Sequence, residues 1–180
     1  MFLPTKRLLL RDFEERDWHS VLAYQSDPLY LRYTPWHRRT ELEARSFVRM
    51  FMDWSQDQPR HKFQFAIALP PQGRLIGNVG IRMNSPHSWE AEMGYELDNR
   101  YWGHGYATEA AMALLSFGFR DLHLHRIYAH CIAENTASAH VLERIGMTYE
   151  GRLRECEWMK ERWWDRLTYA ILDHEWWARM

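Results

Sequence analysis

A short glycine-containing segment in the middle of the chain has the residue types of a phosphate-binding loop. It consists of Trp102-Gly103-His104-Gly105-Tyr106-Ala107-Thr108-Glu109-Ala110 and lies between a predicted strand and a predicted long helix. Small residues let a backbone approach a ligand closely, and the first N–H groups of a helix have no partners within the helix. Together with the positive end of the helix dipole, these groups predict a phosphate site. The alternative is an ordinary strand-to-helix turn.

The glycine spacing distinguishes between phosphate ligands. A dinucleotide-binding loop needs three glycines within a six-position fingerprint and an early βαβ unit. Here the position that the third glycine would occupy falls near Thr108, where the chain has no glycine. The strands before the loop have the pattern of antiparallel hairpins. The Gly-Lys-Ser/Thr sequence of a nucleoside triphosphate loop is absent. The segment therefore favours a pyrophosphate-bearing ligand other than NAD or ATP.

Hydrophobic periodicity predicts the elements that position this loop. Strands are predicted over residues 7–11, 63–69, 75–83, 89–97, 127–132, 147–158 and 163–172, and helices over 14–25, from a Thr40–Glu43 capping box onward, over 105–119 and over 136–145. Antiparallel hairpins mixed with one strand–helix–strand crossover predict an α+β fold. We expect a mixed, mostly antiparallel central sheet with flanking helices.

Length and composition narrow the function classes. The chain has 180 residues, which suits a single domain over residues 1–180. Its 23 basic and 24 acidic residues nearly cancel, so nucleic acid is not an expected partner. No apolar run approaches the roughly 20 residues that span a bilayer, so no membrane partner is expected. The two cysteines fit reduced thiols in a cytoplasmic protein. The ten tryptophans are the unusual feature of the composition.

Five motifs in a fixed order carry a family resemblance. They are Thr5-x-Arg7-Leu8-x-Leu10-Arg11, then Glu92-Met93-Gly94-Tyr95-x-Leu97 with the loop, then His125-Arg126-Ile127 before Asn135-x-x-Ser138, then Gly151-x-Leu153-Arg154, and Trp164-Asp165. Over essentially the whole chain they resemble GNAT N-acetyltransferases of the Rim-type group, which includes ribosomal-protein N-terminal acetyltransferases. The resemblance implies a GNAT-like fold and direct acetyl transfer from acetyl-CoA to a primary amine of a protein N-terminus or small molecule. A catalytically weak acyl-CoA-binding or regulatory module of the same fold is the alternative.

The resemblance also implies which residues hold acetyl-CoA. Backbone amides from His104 to Thr108 would hold the pyrophosphate, in the loop frame Trp102-x-x-Gly105-x-Ala107. A second frame, Arg100-x-x-Gly103-x-Gly105, also fits the superfamily pattern. The backbone near Leu97 would pair with the pantetheine arm like an added strand. Asn135 would contact the cofactor further along the arm, and no metal is implied.

The catalytic residues are less clearly marked. In many superfamily members a tyrosine protonates the leaving thiolate, but the corresponding position here is Leu142, and the resemblance transfers that role to Ser138. Glu90 and Glu92, on the strand before the loop, are candidate bases. A protein α-amino group has a pKa of about 8, so water is the alternative base. Because direct transfer forms no acyl-enzyme, neither cysteine is expected to have a covalent role, and Cys131 and Cys156 are predicted to be packing residues.

The tryptophans suggest an acceptor site. In the Rim-type pattern the early helical segment and the late strands border the acceptor side, so Trp36, Trp163 and Trp164 are predicted to line it. Ordinary core packing is the alternative for most tryptophans. Members of this group often dimerise, and the aromatic late strands would offer a homodimer interface.

Overall fold

A computed structural model describes residues 1–179, which form eight strands and six α-helices. The strands are β1 (Phe2–Pro4), β2 (Leu9–Arg11), β3 (Lys62–Leu69), β4 (Arg74–Arg82), β5 (Glu90–Leu97), β6 (Arg126–Ile132), β7 (Thr148–Met159) and β8 (Arg162–Leu172). The helices are α1 (Trp18–Gln25), α2 (Pro28–Leu31), α3 (Glu41–Gln56), α4 (Tyr106–Arg120), α5 (Thr136–Arg144) and α6 (Asp173–Trp177).

The strands form one sheet in the order β1-β2-β3-β4-β5-β6-β8-β7. Neighbouring strands are antiparallel except β5 and β6, which are parallel and are joined by the crossover through α4. The predicted fold class, an α+β domain with a mixed, mostly antiparallel sheet, is confirmed.

The parallel strands β5 and β6 are paired by hydrogen bonds over only part of their length. The register runs from Glu90 opposite Arg126 to Met93 opposite Ala129. Beyond that point β5 continues to Leu97 beside β4, while β6 continues to Ile132 beside β8. The two strands therefore part after Met93, and their carboxyl-terminal halves leave an opening in the middle of the sheet.

Helices cover the two faces of the sheet through separate hydrophobic cores. On one face, buried residues of α4, α5 and α6, such as Leu114, Leu142 and Trp176, pack against the sheet. On the other face, α1 and α3 contribute a second cluster that includes Val21 and Phe51. We call these the α4 face and the α1 face. Alternating side chains of the central strands supply both cores.

Two local predictions show how the sequence forms these elements. Thr40 caps α3 by accepting from the Glu43 N–H at 3.3 Å, and the Glu43 carboxylate accepts from the Thr40 N–H at 2.7 Å, so the predicted capping box is confirmed. The predicted hairpin is also present, because β3 and β4 pair antiparallel across the turn at residues 70–73.

The ends of the chain differ from the prediction. The sequence predicts one strand at residues 7–11, whereas the structure has β2 at Leu9–Arg11 and pairs it with the preceding β1. The helix α6 is also additional, and its Trp176 is buried and stacks on Phe119 at 5.7 Å. These elements are three to five residues long, too short for a periodic pattern to show. No helix within residues 1–179 has the length and apolar character needed to cross a membrane.

Candidate active site

The glycine-containing loop turns sharply into α4. Gly103 and Gly105 have φ angles of +76° and +75°, a left-handed conformation that side chains disfavour. Gly105 occupies the N-cap position and has no side chain to accept from the first turn. The N–H groups of residues 106–108 are therefore left for an external acceptor, at the positive end of a 15-residue helix. The geometry suits an anion such as a pyrophosphate.

The first motif of the sequence holds this loop in place. Glu109, in the first turn of α4, accepts from the Thr5 hydroxyl at 2.6 Å and from the Arg7 N–H and Nε, each at 2.7 Å. Arg7 also donates to the His104 carbonyl at 2.9 Å. Its guanidinium lies 4.6 Å from the centre of the Tyr106 ring. Burial alone would raise the pKa of Glu109, but the hydrogen bonds from Thr5 and Arg7 lower it.

Trp102 and His104 connect the loop to the end of β5. The Trp102 indole donates to the Leu97 carbonyl at 2.8 Å, although 45% of the residue is exposed. The exposed His104 ring contacts the Trp102 carbonyl through Nδ1 at 2.7 Å and stacks on Tyr106. The structure thus groups all the predicted loop residues around the start of α4. The backbone near Leu97 is predicted to pair with the pantetheine arm, and the structure shows that the Leu97 carbonyl already accepts from the Trp102 indole.

Ser138 and Asn135 lie at the opening between β5 and β6, on the α4 face. Asn135 is the N-cap of α5 and accepts from the Ser138 N–H through Oδ1 at 3.2 Å. The Tyr95 hydroxyl donates to the Ser138 carbonyl at 2.9 Å and lies 3.0 Å from the Ser138 hydroxyl. Burial raises the pKa of Tyr95, which keeps its hydroxyl protonated at neutral pH. The opening therefore contains two adjacent hydroxyl groups that can pass a proton.

The cysteines have different surroundings. Cys131 is buried on β6. Burial raises the pKa of its thiol to about 11, with a smaller opposing effect of the nearby Ser138 side chain. Cys156 is exposed on the edge strand β7, so the prediction that it is a packing residue is wrong. An edge strand has no neighbour on one side, and the β7–β8 register shifts near this residue. Both thiols are free.

The two predicted bases differ in their distance from the opening. Glu90 is exposed, and its carboxylate lies 3.8 Å from Arg126, at the joined end of β5. Glu92 is half-buried on the α1 face and is paired in register with Tyr128 of β6. Burial, and then the charges of Glu92 and Glu90, raise the pKa of Tyr128. Glu92 is thus closer to the opening than Glu90, and it is the better placed of the two to accept a proton there.

The three predicted acceptor-site tryptophans do not form one wall. Trp164 is 6% exposed, and its indole donates to the Met159 carbonyl at 2.9 Å. Trp163 is 54% exposed and packs edge-on against Trp158. Because neighbouring side chains of a strand point to opposite faces, Trp163 and Trp164 cannot line the same surface. The indole N–H of Trp36 is buried and has no hydrogen-bond partner within residues 1–179.

The segment that contains Trp36 nevertheless contacts the β7–β8 hairpin. Tyr33 packs edge-on against Trp164 at 6.0 Å and donates to the Glu134 carbonyl at 3.0 Å. Lys160, at the hairpin turn, donates to the Leu31 carbonyl. The segment that contains Trp36 and the β7–β8 hairpin therefore meet through Tyr33 and Trp164, and together they border the α1 face of the opening.

Glu96 is a functional candidate that sequence reasoning missed. It lies on β5 among three hydrogen-bond donors, Tyr24, Gln25 and Asn78, at 2.9–3.0 Å. Behind Asn78, the Gln64 side chain lies across Gly80, where a Cβ atom would stand 2.0 Å from Oε1 of Gln64. The sequence places Glu96 on the polar face of a strand, but no local pattern indicates partners up to 72 residues away.

A family model for the acetyltransferase (GNAT) domain matches residues 7–148, which include the loop, the opening and Ser138. The chain belongs to the GNAT acetyltransferase family. It is an N-acetyltransferase, and the family assignment predicted from the motifs is confirmed. Among residues 1–179, no group of three or more His, Cys, Asp or Glu side chains is arranged to hold a metal ion.

Similar GNAT proteins cover almost the whole chain. An uncharacterized N-acetyltransferase, YnaD of Bacillus subtilis, is 37% identical over 98% of this chain and 99% of its own. A GNAT acetyltransferase structure from Bacillus anthracis has a TM-score of 0.84 and 36% identity, and the alignment covers 97% of this chain and 99% of that chain.

Rim-type proteins are among the more distant relatives. The [ribosomal protein uS5]-alanine N-acetyltransferase of Escherichia coli is 25% identical over 97% of this chain and 92% of its own. A structure of RimL, a ribosomal L7/L12 α-N-protein acetyltransferase in complex with coenzyme A, shares the fold with a TM-score of 0.83. The two sequences are 23% identical, and the alignment covers 96% of this chain and 99% of that chain. These relatives are consistent with a Rim-type group.

Proposed function

We propose that this GNAT protein transfers an acetyl group directly from acetyl-CoA to a primary amine, with the α-amino group of a protein N-terminus as the leading acceptor class. The observation that carries the proposal is the opening between β5 and β6, which lies beside the unpartnered N–H groups at the start of α4. The acceptor class rests on the ribosomal-protein N-acetyltransferases among the relatives. Such a substrate also implies a cytoplasmic location.

The cofactor residues follow from this arrangement. The amides of residues 106–108 would bind the pyrophosphate of acetyl-CoA, and the opening beside Leu97 would receive its pantetheine arm. The Asn135 cap uses Oδ1, so its amide nitrogen is the group that would contact the arm. When bound, acetyl-CoA supplies a thioester whose carbonyl carbon accepts the amine.

The transfer forms one C–N bond and breaks one C–S bond, and it requires two proton movements. The attacking nitrogen loses a proton, which Glu92 or water accepts on the α1 face. The departing thiolate gains a proton from the Ser138 hydroxyl on the α4 face. Tyr95, 3.0 Å from that hydroxyl, can return a proton to it. The net exchange is acetyl-CoA and amine for amide and CoA thiol.

An acceptor screen that monitors free CoA thiol tests this proposal. The panel contains peptides that begin with alanine, serine or methionine, simple alkyl amines and a polyamine, and each peptide has an N-terminally blocked control. We expect thiol release with free N-termini and none with blocked ones, and mass spectrometry should place the acetyl group on the α-nitrogen. Coenzyme A binding without thiol release for any acceptor would instead favour the weak acyl-CoA-binding module.

A further inference from the structure

Glu96 presents a carboxylate on the α1 face of the opening, opposite to Ser138. Side chains alternate along a strand, so Tyr95 reaches Ser138 on one face while Glu96 reaches α1 on the other. The strands part after Met93, so both residues belong to the separated half of β5. If the leaving thiol is protonated at Ser138, the Glu96 side of the opening is the side from which an amine arrives.

The Glu96 carboxylate is held through one oxygen. The Tyr24 hydroxyl at 3.0 Å, Gln25 Nε2 at 2.9 Å and Asn78 Nδ2 at 2.9 Å all donate to Oε2. All three donors are buried, whereas Glu96 itself is partly exposed. These bonds fix the direction of the side chain. Among residues 1–179 the hydrogen bonds to the Glu96 carboxylate all end on Oε2, so Oε1 can accept from a further donor.

The donors that hold Glu96 are neutral, so they do not cancel its charge. The nearby guanidinium groups bind those amides instead. Arg39 donates to Gln25 Oε1 at 2.7 Å. Arg82 donates to Gln64 at 3.3 Å, and Gln64 in turn donates to Asn78 at 2.7 Å. An ionised carboxylate that is held by neutral amides retains its attraction for a cation.

Neighbouring groups respond to this charge. Burial, and then the Glu96 carboxylate, raise the pKa of Tyr24 well above its ordinary value. The same two causes, in the same order, raise the pKa of Tyr30 on α2. Both hydroxyls therefore stay protonated, and that of Tyr24 donates to Oε2 of Glu96. Arg39 also lies 4.5 Å from the centre of the Trp36 ring, which joins this network to the segment bordering the opening.

Resting on the proposed function, we propose that Glu96 binds the ammonium group of the acceptor through Oε1 and selects acceptors that are positively charged at neutral pH. Alkyl amines and most protein α-amino groups are protonated near neutral pH. A fixed carboxylate concentrates such cations on the acceptor side of the opening. The bound ammonium then loses one proton to Glu92 or water before its nitrogen attacks, so a charged acceptor releases one proton to solvent in addition to the exchange described above. It makes Glu96 a binding residue for the substrate, distinct from the candidate base Glu92.

The substitution Glu96→Gln tests this assignment with little disturbance of the fold. The three existing bonds end on one oxygen, which the glutamine carbonyl can replace. We expect the KM of the best peptide acceptor to rise by about tenfold or more, since hydrogen bonds to charged groups contribute about 1.5–3 kcal/mol. The Kd of CoA and the melting temperature should stay near the wild-type values.

The control Asp53→Asn removes the same charge from an exposed position on α3, and it should leave KM unchanged. A Glu96→Gln enzyme whose KM stays within about twofold of wild type would overturn the assignment. If the wild-type protein binds CoA but acetylates nothing in the panel, the proposed function itself fails. The two failures are therefore distinguishable.

A second measurement uses the wild-type protein and remains informative if Glu96→Gln does not fold. The N,N-dimethyl form of the best acceptor keeps the positive charge and one N–H, whereas the matching alcohol is neutral. We expect the dimethylated form to be the stronger competitive inhibitor by about tenfold or more. Equal inhibition by the two compounds would show that no anionic group binds the acceptor nitrogen.

Discussion

Nε of Arg7 lies 2.7 Å from Oε2 of Glu109, and the Arg7 N–H donates to the other oxygen of the same carboxylate at 2.7 Å. This pair joins a segment before β2 to the first turn of α4, across 102 residues of sequence. Because Arg7 also donates to the His104 carbonyl, the pair fixes the loop on both sides of Gly105. The amides proposed to bind the pyrophosphate are thereby held in position before any ligand arrives.

The substitution Arg7→Met should weaken CoA binding, because it removes the donor that connects the loop to α4. We expect the Kd of CoA, measured by calorimetry, to rise by about five- to tenfold. The Kd of pantetheine, which lacks the pyrophosphate, should change much less. A loss that is equal for both ligands would indicate general destabilisation and not a positioning role. Arg16→Met, at an exposed arginine paired with Glu14, serves as the control.

The same carboxylate should make stability depend on pH. The pKa of Glu109 is lowered in the folded protein below its ordinary value of 4.5. A lowered pKa contributes stability that is present above the ordinary value and disappears as the pH falls through the folded-state value. Urea unfolding should therefore show Glu109→Gln to be less stable than wild type near neutral pH. The difference should shrink on acidification, and a constant difference at all pH values would contradict this linkage.

Much of the fold could be predicted because its elements are long and periodic. The α3 capping box, the β3–β4 hairpin and the turn into α4 depend on residues that are close together in the sequence. The loop residues could be predicted for the same reason. Glycines and a helix start are local signals, and the helix supplies the free N–H groups wherever it lies in the fold.

The remaining parts of the site depend on contacts that no local pattern encodes. Glu96 reaches Gln25 across 71 residues, and Arg7 reaches Glu109 across 102. The Tyr95–Ser138 contact likewise exists only because β5 and β6 part and leave α5 beside the opening. Trp163 and Trp164 are neighbours in the sequence, but the alternation of side chains along β8 leaves the first exposed and the second buried. Composition and proximity in the sequence do not show this difference.

These two tryptophans provide a matched comparison of stability. Trp164 is buried, donates a hydrogen bond and packs against Tyr33. Trp164→Ala should lower the free energy of unfolding by about 3–5 kcal/mol. Trp163→Ala, on the exposed face of the same strand, should lower it by less than about 1 kcal/mol. Denaturant unfolding of both variants measures this difference, and similar losses would contradict the assignment of Trp164 to the packed side.

Ser138 provides the most direct test of the proton path. Ser138→Ala removes the hydroxyl that is proposed to protonate the thiolate, so kcat should fall by about 100-fold or more. The Kd of CoA should be little changed, because the capping bond from Asn135 ends on the Ser138 backbone N–H. Ser46→Ala, on the exposed side of α3, controls for the loss of a serine hydroxyl.

The Tyr95→Phe variant separates the two hydroxyls. If Tyr95 only returns a proton to Ser138, its loss should lower kcat by less than the loss of Ser138, since solvent can supply that proton more slowly. The double variant should then be no slower than Ser138→Ala, because the two groups act in series. An unchanged kcat in Ser138→Ala would remove the serine from the mechanism. A larger loss in Tyr95→Phe would assign the thiolate proton to the tyrosine.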